Sequence, residues 1–138
     1  MDSRFASPGD IGQFLHYGGS GGTHGLDSDF VIVDVETSGL DPAQGARVIE
    51  IAAVRVTQAG TEVGHMSSLI NPGDGETGAD WIHGISPAMV LDAPKFSEVF
   101  DSFAALMDNA IFVAHHAKFD ESFVAAEANH AGLELAVM

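Results

Sequence analysis

The run Phe30-Val31-Ile32-Val33-Asp34-Val35-Glu36 constrains this chain more than any other stretch. No polar residue interrupts it before Asp34, which is the pattern of a strand buried on both faces. Side chains alternate along a strand, so Phe30, Ile32, Asp34 and Glu36 share one face and Val31, Val33 and Val35 the other. Two acids therefore close an apolar row on one side, with their Cα atoms about 6.6 Å apart. Sliding the strand by one residue would turn the whole row over, so burial fixes where the acids stand. Carboxylates at that spacing reach one hard cation, or two cations about 4 Å apart. Thr37-Ser38-Gly39 then turns the chain away. This leaves the acids at the carboxyl end of the strand, where open α/β sheets bind ligands. The alternative is that Asp34 and Glu36 are only the wet end of a strand.

The rest of the chain supplies partners for that strand. Arg47 to Thr57 is a second β-rich run, Gln58-Ala59-Gly60 a hairpin turn, and Thr61 to Ile70 a third strand. Glu50 can face the acid pair, although a structural partner suits it better. Trp81 to Pro87 reads as a loop leading into a short helical turn through Met89 and Val90. His83, beside Gly84, is placed where backbone can approach a ligand. Phe96, Val99, Phe100, Phe103, Ala104 and Met107 recur at helical spacing, predicting a core-facing helix from about Pro94–Ser97 to Asn109. Ile111 to Ala114 is a fourth strand, and Phe119, Phe123 and Ala126 mark a helix reaching about His130.

This order predicts an α/β fold with a mixed sheet: an antiparallel three-strand meander, then a helix that returns the fourth strand parallel to the first. Asp120 opens the helix after that strand. It approaches Asp34 and Glu36 if the first and fourth strands are neighbours. Three acids converging at strand and helix ends suit two-metal phosphoryl chemistry. The organisation expected is a flexible Gly-rich tail over 1–28, with Gly18-Gly19-Ser20-Gly21-Gly22 as its linker-like centre, and one domain over 29–138.

Charge decides how a substrate can be held. The chain has 20 acids, 5 bases and a net charge of −15. Proteins that track long nucleic acids neutralise many phosphates with cations. Here Arg4, Arg47, Arg55, Lys95 and Lys118 are scattered and build no basic stripe. A nucleic-acid partner would thus be gripped at one end through metal ions rather than along its length. There is no cysteine, which removes disulfides and thiolate metal sites and fits a cytoplasmic location. No signal-like or membrane-spanning run is seen, so no membrane partner is expected.

Asp34-Val35-Glu36-Thr37-Ser38-Gly39-Leu40 resembles the first motif of the DEDD superfamily of 3′→5′ exonucleases. Val113-Ala114-His115-His116-Ala117-Lys118-Phe119-Asp120 resembles the second. Arg47 to Ile51, Ile70-Asn71-Pro72 and Ile82-His83-Gly84-Ile85 match segments that lie between them. The resemblance covers about Asp29 to His130 and is closest to the branch containing the proofreading epsilon subunit of bacterial DNA polymerase III. It implies a ribonuclease-H-like fold and hydrolysis at a single-stranded nucleic-acid 3′ end, DNA rather than RNA, with a polymerase subunit as the protein partner. It implies two Mg²⁺ or Mn²⁺ ions, Asp34 bridging both, Glu36 on the first and Asp120 on the second. It further implies that Thr37 and Leu40 contact the terminal nucleotide and that His83 and His115 line the same pocket.

Two departures accompany the resemblance. The family has His-Asn where this chain has His115-His116. The family's third motif, His-x-x-x-x-Asp, supplies the general base and a fourth carboxylate, and no aspartate follows Asp120 here. His115 and Asp120 have the spacing, but Asp120 belongs to the second motif. The expectation is a C-terminally incomplete, inactive form of an exonuclease, lacking the last strand and helix. The alternatives are a catalytically dead nucleotide- or partner-binding domain of the same fold, and an unrelated acidic interaction module.

Overall fold

A computed structural model describes residues 28–132. Apart from Ser28, the expected tail over 1–28 lies outside the described residues, as does the stretch 133–138.

The four strands are β1 (Asp29–Thr37), β2 (Val48–Val56), β3 (Glu62–Leu69) and β4 (Ala110–Val113). They form one sheet in the order β3-β2-β1-β4. The β1–β2 and β2–β3 ladders are antiparallel and β1–β4 is parallel. This is the meander plus parallel fourth strand that the sequence predicts, and among the described residues β4 is an edge. Each end agrees with the expected strand within two residues. The β2–β3 turn closes on Gly60, whose φ of 86° demands a residue without a Cβ penalty.

Parity along β1 sets the layers. Val31, Val33 and Val35 join Ile51, Ala53 and Phe112 in the main core. Helix α3 (Phe96–Met107) covers that face with Phe96, Phe100, Phe103 and Met107, all buried. Helix α4 (Ala117–His130) packs beside it with Phe123, Val124 and Ala128. Phe30 and Ile32 belong to a separate cluster with Val54, Val56 and Val113 on the opposite face. So β1 is buried on both sides until the row reaches Asp34. Its neighbour Val35 is still 7% exposed.

Between β3 and α3 lie two single-turn helices, α1 (Asp80–His83) and α2 (Pro87–Val90). The sequence predicts a loop where α1 forms. Four residues are too few to display a helical period, and the turn is held instead by its C-terminal Gly84 at φ 72°. Ile85 and Val90 from this segment bury against Ile49. None of the helices among the described residues is long and apolar enough to cross a membrane.

Two of the few cations are consumed as fasteners. Arg47 makes a bidentate ion pair with Glu127 (Nε–Oε2 2.9 Å, Nη2–Oε1 2.7 Å), and the Val48 N–H donates to the same carboxylate at 2.9 Å. Glu127 is 2% exposed, so α4 is riveted to the start of β2 through a buried charge whose hydrogen-bonding needs are met. Arg55 donates to the carbonyls of Leu106 and Asp108 at the end of α3, and to Asp29 at 2.9 Å. A cation there satisfies orphaned helix carbonyls and complements the helix dipole.

Candidate active site

Strand β1 delivers Asp34 and Glu36 to one face at its carboxyl end. The register places Asp34 opposite Ala52 and Glu36 opposite Glu50. Glu50 is therefore a third acid on this face of the sheet. A register shift between Glu36 and Thr37 ends the regular pairing there. The turn after it is tightly pinned. Thr37 Oγ1 donates to the Gly39 carbonyl at 2.6 Å, Ser38 N donates to the Arg47 carbonyl at 2.8 Å, and Arg47 N donates to Ser38 Oγ at 2.9 Å.

Asp120 arrives from the other motif. Strand β4 runs beside β1, with Ile32 opposite Val113, and leads through His115 and His116 into α4. Asp120 lies in the first turn of that helix and is only 6% exposed. Its carboxyl pKa is raised from 3.8 to about 7. Burial contributes most of the rise and the charge of Asp34 adds to it. A hydrogen bond from the His116 backbone pulls the other way, and the charge of Glu36 adds a further small rise. The three acids thus feel one another, as expected from neighbouring first and fourth strands.

Among the described residues, no three acidic or histidine side chains already converge tightly enough to enclose a metal ion. Asp34, Glu36 and Asp120 nevertheless fit a hard divalent cation. Their donors are all carboxylate oxygens, and Asp120, its pKa raised first by burial and then by the charge of Asp34, is the acid that a cation would relieve. Binding would have to draw the carboxylates together.

A cleft of about 840 Å³ is lined by Leu40, His116, Ala117, Lys118 and Phe119. Leu40, expected to touch the terminal nucleotide, stands there 86% exposed. Of the histidine pair, His116 lines the cleft, while His115 sits edge-on to it with ring centroids 4.6 Å apart. Lys118 supplies a positive charge at the same place. His83 is held as an internal fastener: Nε2 lies 2.6 Å from the Thr77 carbonyl, and Nδ1 accepts from Ile85 N at 3.0 Å. The Thr77–Ile85 segment is in turn seated on the β1 turn, since a Cβ added to Gly78 would collide with the Ser38 carbonyl. Sequence reasoning missed Glu127. The available signal was its place in the buried stripe Asp120, Phe123, Val124, Glu127, Ala128, where a buried acid calls for a cation.

Comparison with known proteins identifies the family and the fold. A family described as Exonuclease, RNase_T, matches residues 31–134. The chain is 40% identical over 97 residues to a DNA polymerase III subunit epsilon-like protein of Rhodobacter capsulatus, covering 69% of this chain and 14% of that protein. It is 39% identical over 107 residues to the 3′-5′ exonuclease DinG of Bacillus subtilis (77% and 11%). It is 37% identical over 95 residues to the DNA polymerase III subunit epsilon of Rickettsia typhi (68% and 42%). The chain therefore spans less than half the length of these relatives. Among solved structures, exonuclease I superposes with a TM-score of 0.69 at 21% identity, covering 78% of this chain and 25% of that one. The nuclease domain of 3′hExo, a DEDDh family member bound to rAMP, gives 0.64 at 16% identity, covering 79% and 62%. Both share the fold. With the family match running from β1 to beyond α4, and with its acids on neighbouring strand and helix ends, this chain belongs to the RNase_T exonuclease family.

Proposed function

We propose that this chain is the metal-binding and end-gripping part of a 3′→5′ exonuclease acting on single-stranded nucleic acid, DNA in preference to RNA, in the cytoplasm. The observation that carries the reading is the pairing of β1 with β4, which brings the buried Asp120 at the start of α4 towards Asp34 and Glu36 at the end of β1. Asp34 would bridge two Mg²⁺ or Mn²⁺ ions, with Glu36 on the first and Asp120 on the second. Such ions supply an activated water and stabilise the leaving 3′ oxygen. The chain's own residues do the rest. Leu40 and Phe119 offer apolar surface to the terminal base, and Lys118 answers a phosphate. The pinned Thr37–Gly39 turn presents backbone at a fixed height beside the acids. His83 fixes the Thr77–Ile85 wall. His115 braces His116, the histidine that lines the cleft. The epsilon-type relatives suggest a polymerase subunit as protein partner.

The 138 residues contain no His-x-x-x-x-Asp beyond Asp120. A missing general base costs roughly 10²–10⁴-fold in rate, so these 138 residues on their own are expected to bind a 3′ end and to cleave it very slowly. A 5′-labelled single-stranded oligonucleotide with Mn²⁺, resolved on a denaturing gel, tests this. Slow shortening from the 3′ end, lost in Asp34→Ala, is the expected outcome. Cleavage from the 5′ end or at internal bonds would contradict the direction assigned. Rapid release of mononucleotides would contradict the dependence on the third motif. A second reading is a domain of the same fold that binds nucleotides or a partner without turnover. Metal-dependent binding with no shortening at all would select it.

A further inference from the structure

The protein has one tryptophan, and it is not in the core. Trp81 is 82% exposed on α1, next to Ile82 at 76%. This is not a loose surface residue. The helix that carries it is closed by Gly84 and fastened through His83 to Thr77 and Ile85. Three residues before Trp81, Gly78 lies against the Ser38 carbonyl, two residues after Glu36. Two residues after Ser38 stands the exposed Leu40 of the cleft. Adjoining apolar side chains that face water, such as Trp81 and Ile82, can mark a binding surface, and this pair is mounted beside the turn that follows the acids.

The cation inventory among the described residues suggests what the indole binds. Arg47 and Arg55 are committed to Glu127 and to the end of α3. Lys118 lines the cleft, and Lys95 lies elsewhere, in a pocket beside the start of α3. A chain of net charge −15 with so few cations to spare gains little by gripping phosphates beyond the terminal one. Stacking of bases on an aromatic face needs no charge and tolerates any sequence.

Building on the exonuclease reading, we propose that Trp81 is a stacking platform for an unpaired base next to the terminal nucleotide of the single-stranded substrate. It holds by its ring the part of the strand that the acidic surface cannot hold by charge.

Because Trp81 is the single tryptophan, intrinsic fluorescence reports on it alone. The full chain, with Ca²⁺ in place of the catalytic ions, is titrated with a short oligothymidylate carrying a 5′ dye. Binding is followed by dye anisotropy and, with an unlabelled strand, by indole emission. The expected result is that emission is quenched in step with binding. Trp81→Ala should weaken binding on the order of tenfold, Trp81→Phe should weaken it less, and Mn²⁺ binding should be unchanged in both. Binding with unaltered emission and with equal affinity in Trp81→Ala would overturn the proposal and leave the exposed indole to a protein contact. No oligonucleotide binding by a protein that does bind Mn²⁺ would overturn the exonuclease reading itself, and the proposal with it.

Discussion

Arg47→Met is expected to destabilise the protein by about 3 kcal/mol. The loss does not come from the arginine's own burial, because its side chain is 26% exposed. It comes from Glu127, which is 2% exposed and would keep a buried negative charge with only the Val48 N–H to answer it. Removing one partner of a buried pair costs about 3–5 kcal/mol, whereas replacing both is often neutral. The companion variant Arg47→Met/Glu127→Gln removes the charge and keeps an amide oxygen for Val48 N. It should recover most of the loss. Urea midpoints at unchanged m-value measure both. Equal midpoints for Arg47→Met and wild type would mean that the rivet between α4 and β2 contributes nothing.

The second large effect has the opposite sign. Asp120→Asn should stabilise the metal-free protein while removing its response to metal. The Asp120 carboxyl titrates near 3.8 when unfolded and at about 7 when folded. Between those values the folded state holds the extra proton, so stability falls as pH rises through this window and levels off above about 7. A tenfold difference in proton affinity between the folded and unfolded states is worth about 1.4 kcal/mol, and partial relaxation of the acids leaves a net cost of about 2 kcal/mol. Asparagine cannot ionise. Its advantage should be absent below about pH 4, grow through the window and be complete at pH 8. Thermal melts in chelator at pH 4, 6 and 8 measure it. A gain independent of pH would show that packing rather than charge is responsible. Protons and metal compete for the same oxygens, so metal affinity of the wild type should rise over the same range.

Much of this arrangement is legible in the sequence because it is local. The two-residue period of β1 puts Asp34 and Glu36 on one face, and no tertiary contact is needed to see it. The phenylalanine stripe of α3 declares its buried side in the same way. The helical crossover predicts that β4 returns parallel to β1, and the pairing of the two strands carries Asp120 with it. What the sequence hides is long-range or too short to have a period. Arg47 and Glu127 are 80 residues apart, and each alone reads as surface charge. Arg55 looks like a strand arginine until the end of α3 is brought beneath it. Helix α1 has four residues, and its histidine reads as a site residue when its ring nitrogens are engaged in holding the wall. His115 precedes the helix by two positions, so the turn into α4 presents His116 to the cleft instead.

Asp34, Glu36 and Asp120 acting as one divalent-metal site is the central claim, and calorimetric titration of Mn²⁺ into the 138-residue protein at pH 8 tests it most directly. Saturable binding by the wild type is the predicted result, with none by Asp34→Ala or Asp120→Asn although both remain folded. Mn²⁺ binding of equal affinity in the wild type and in Asp34→Ala would contradict it.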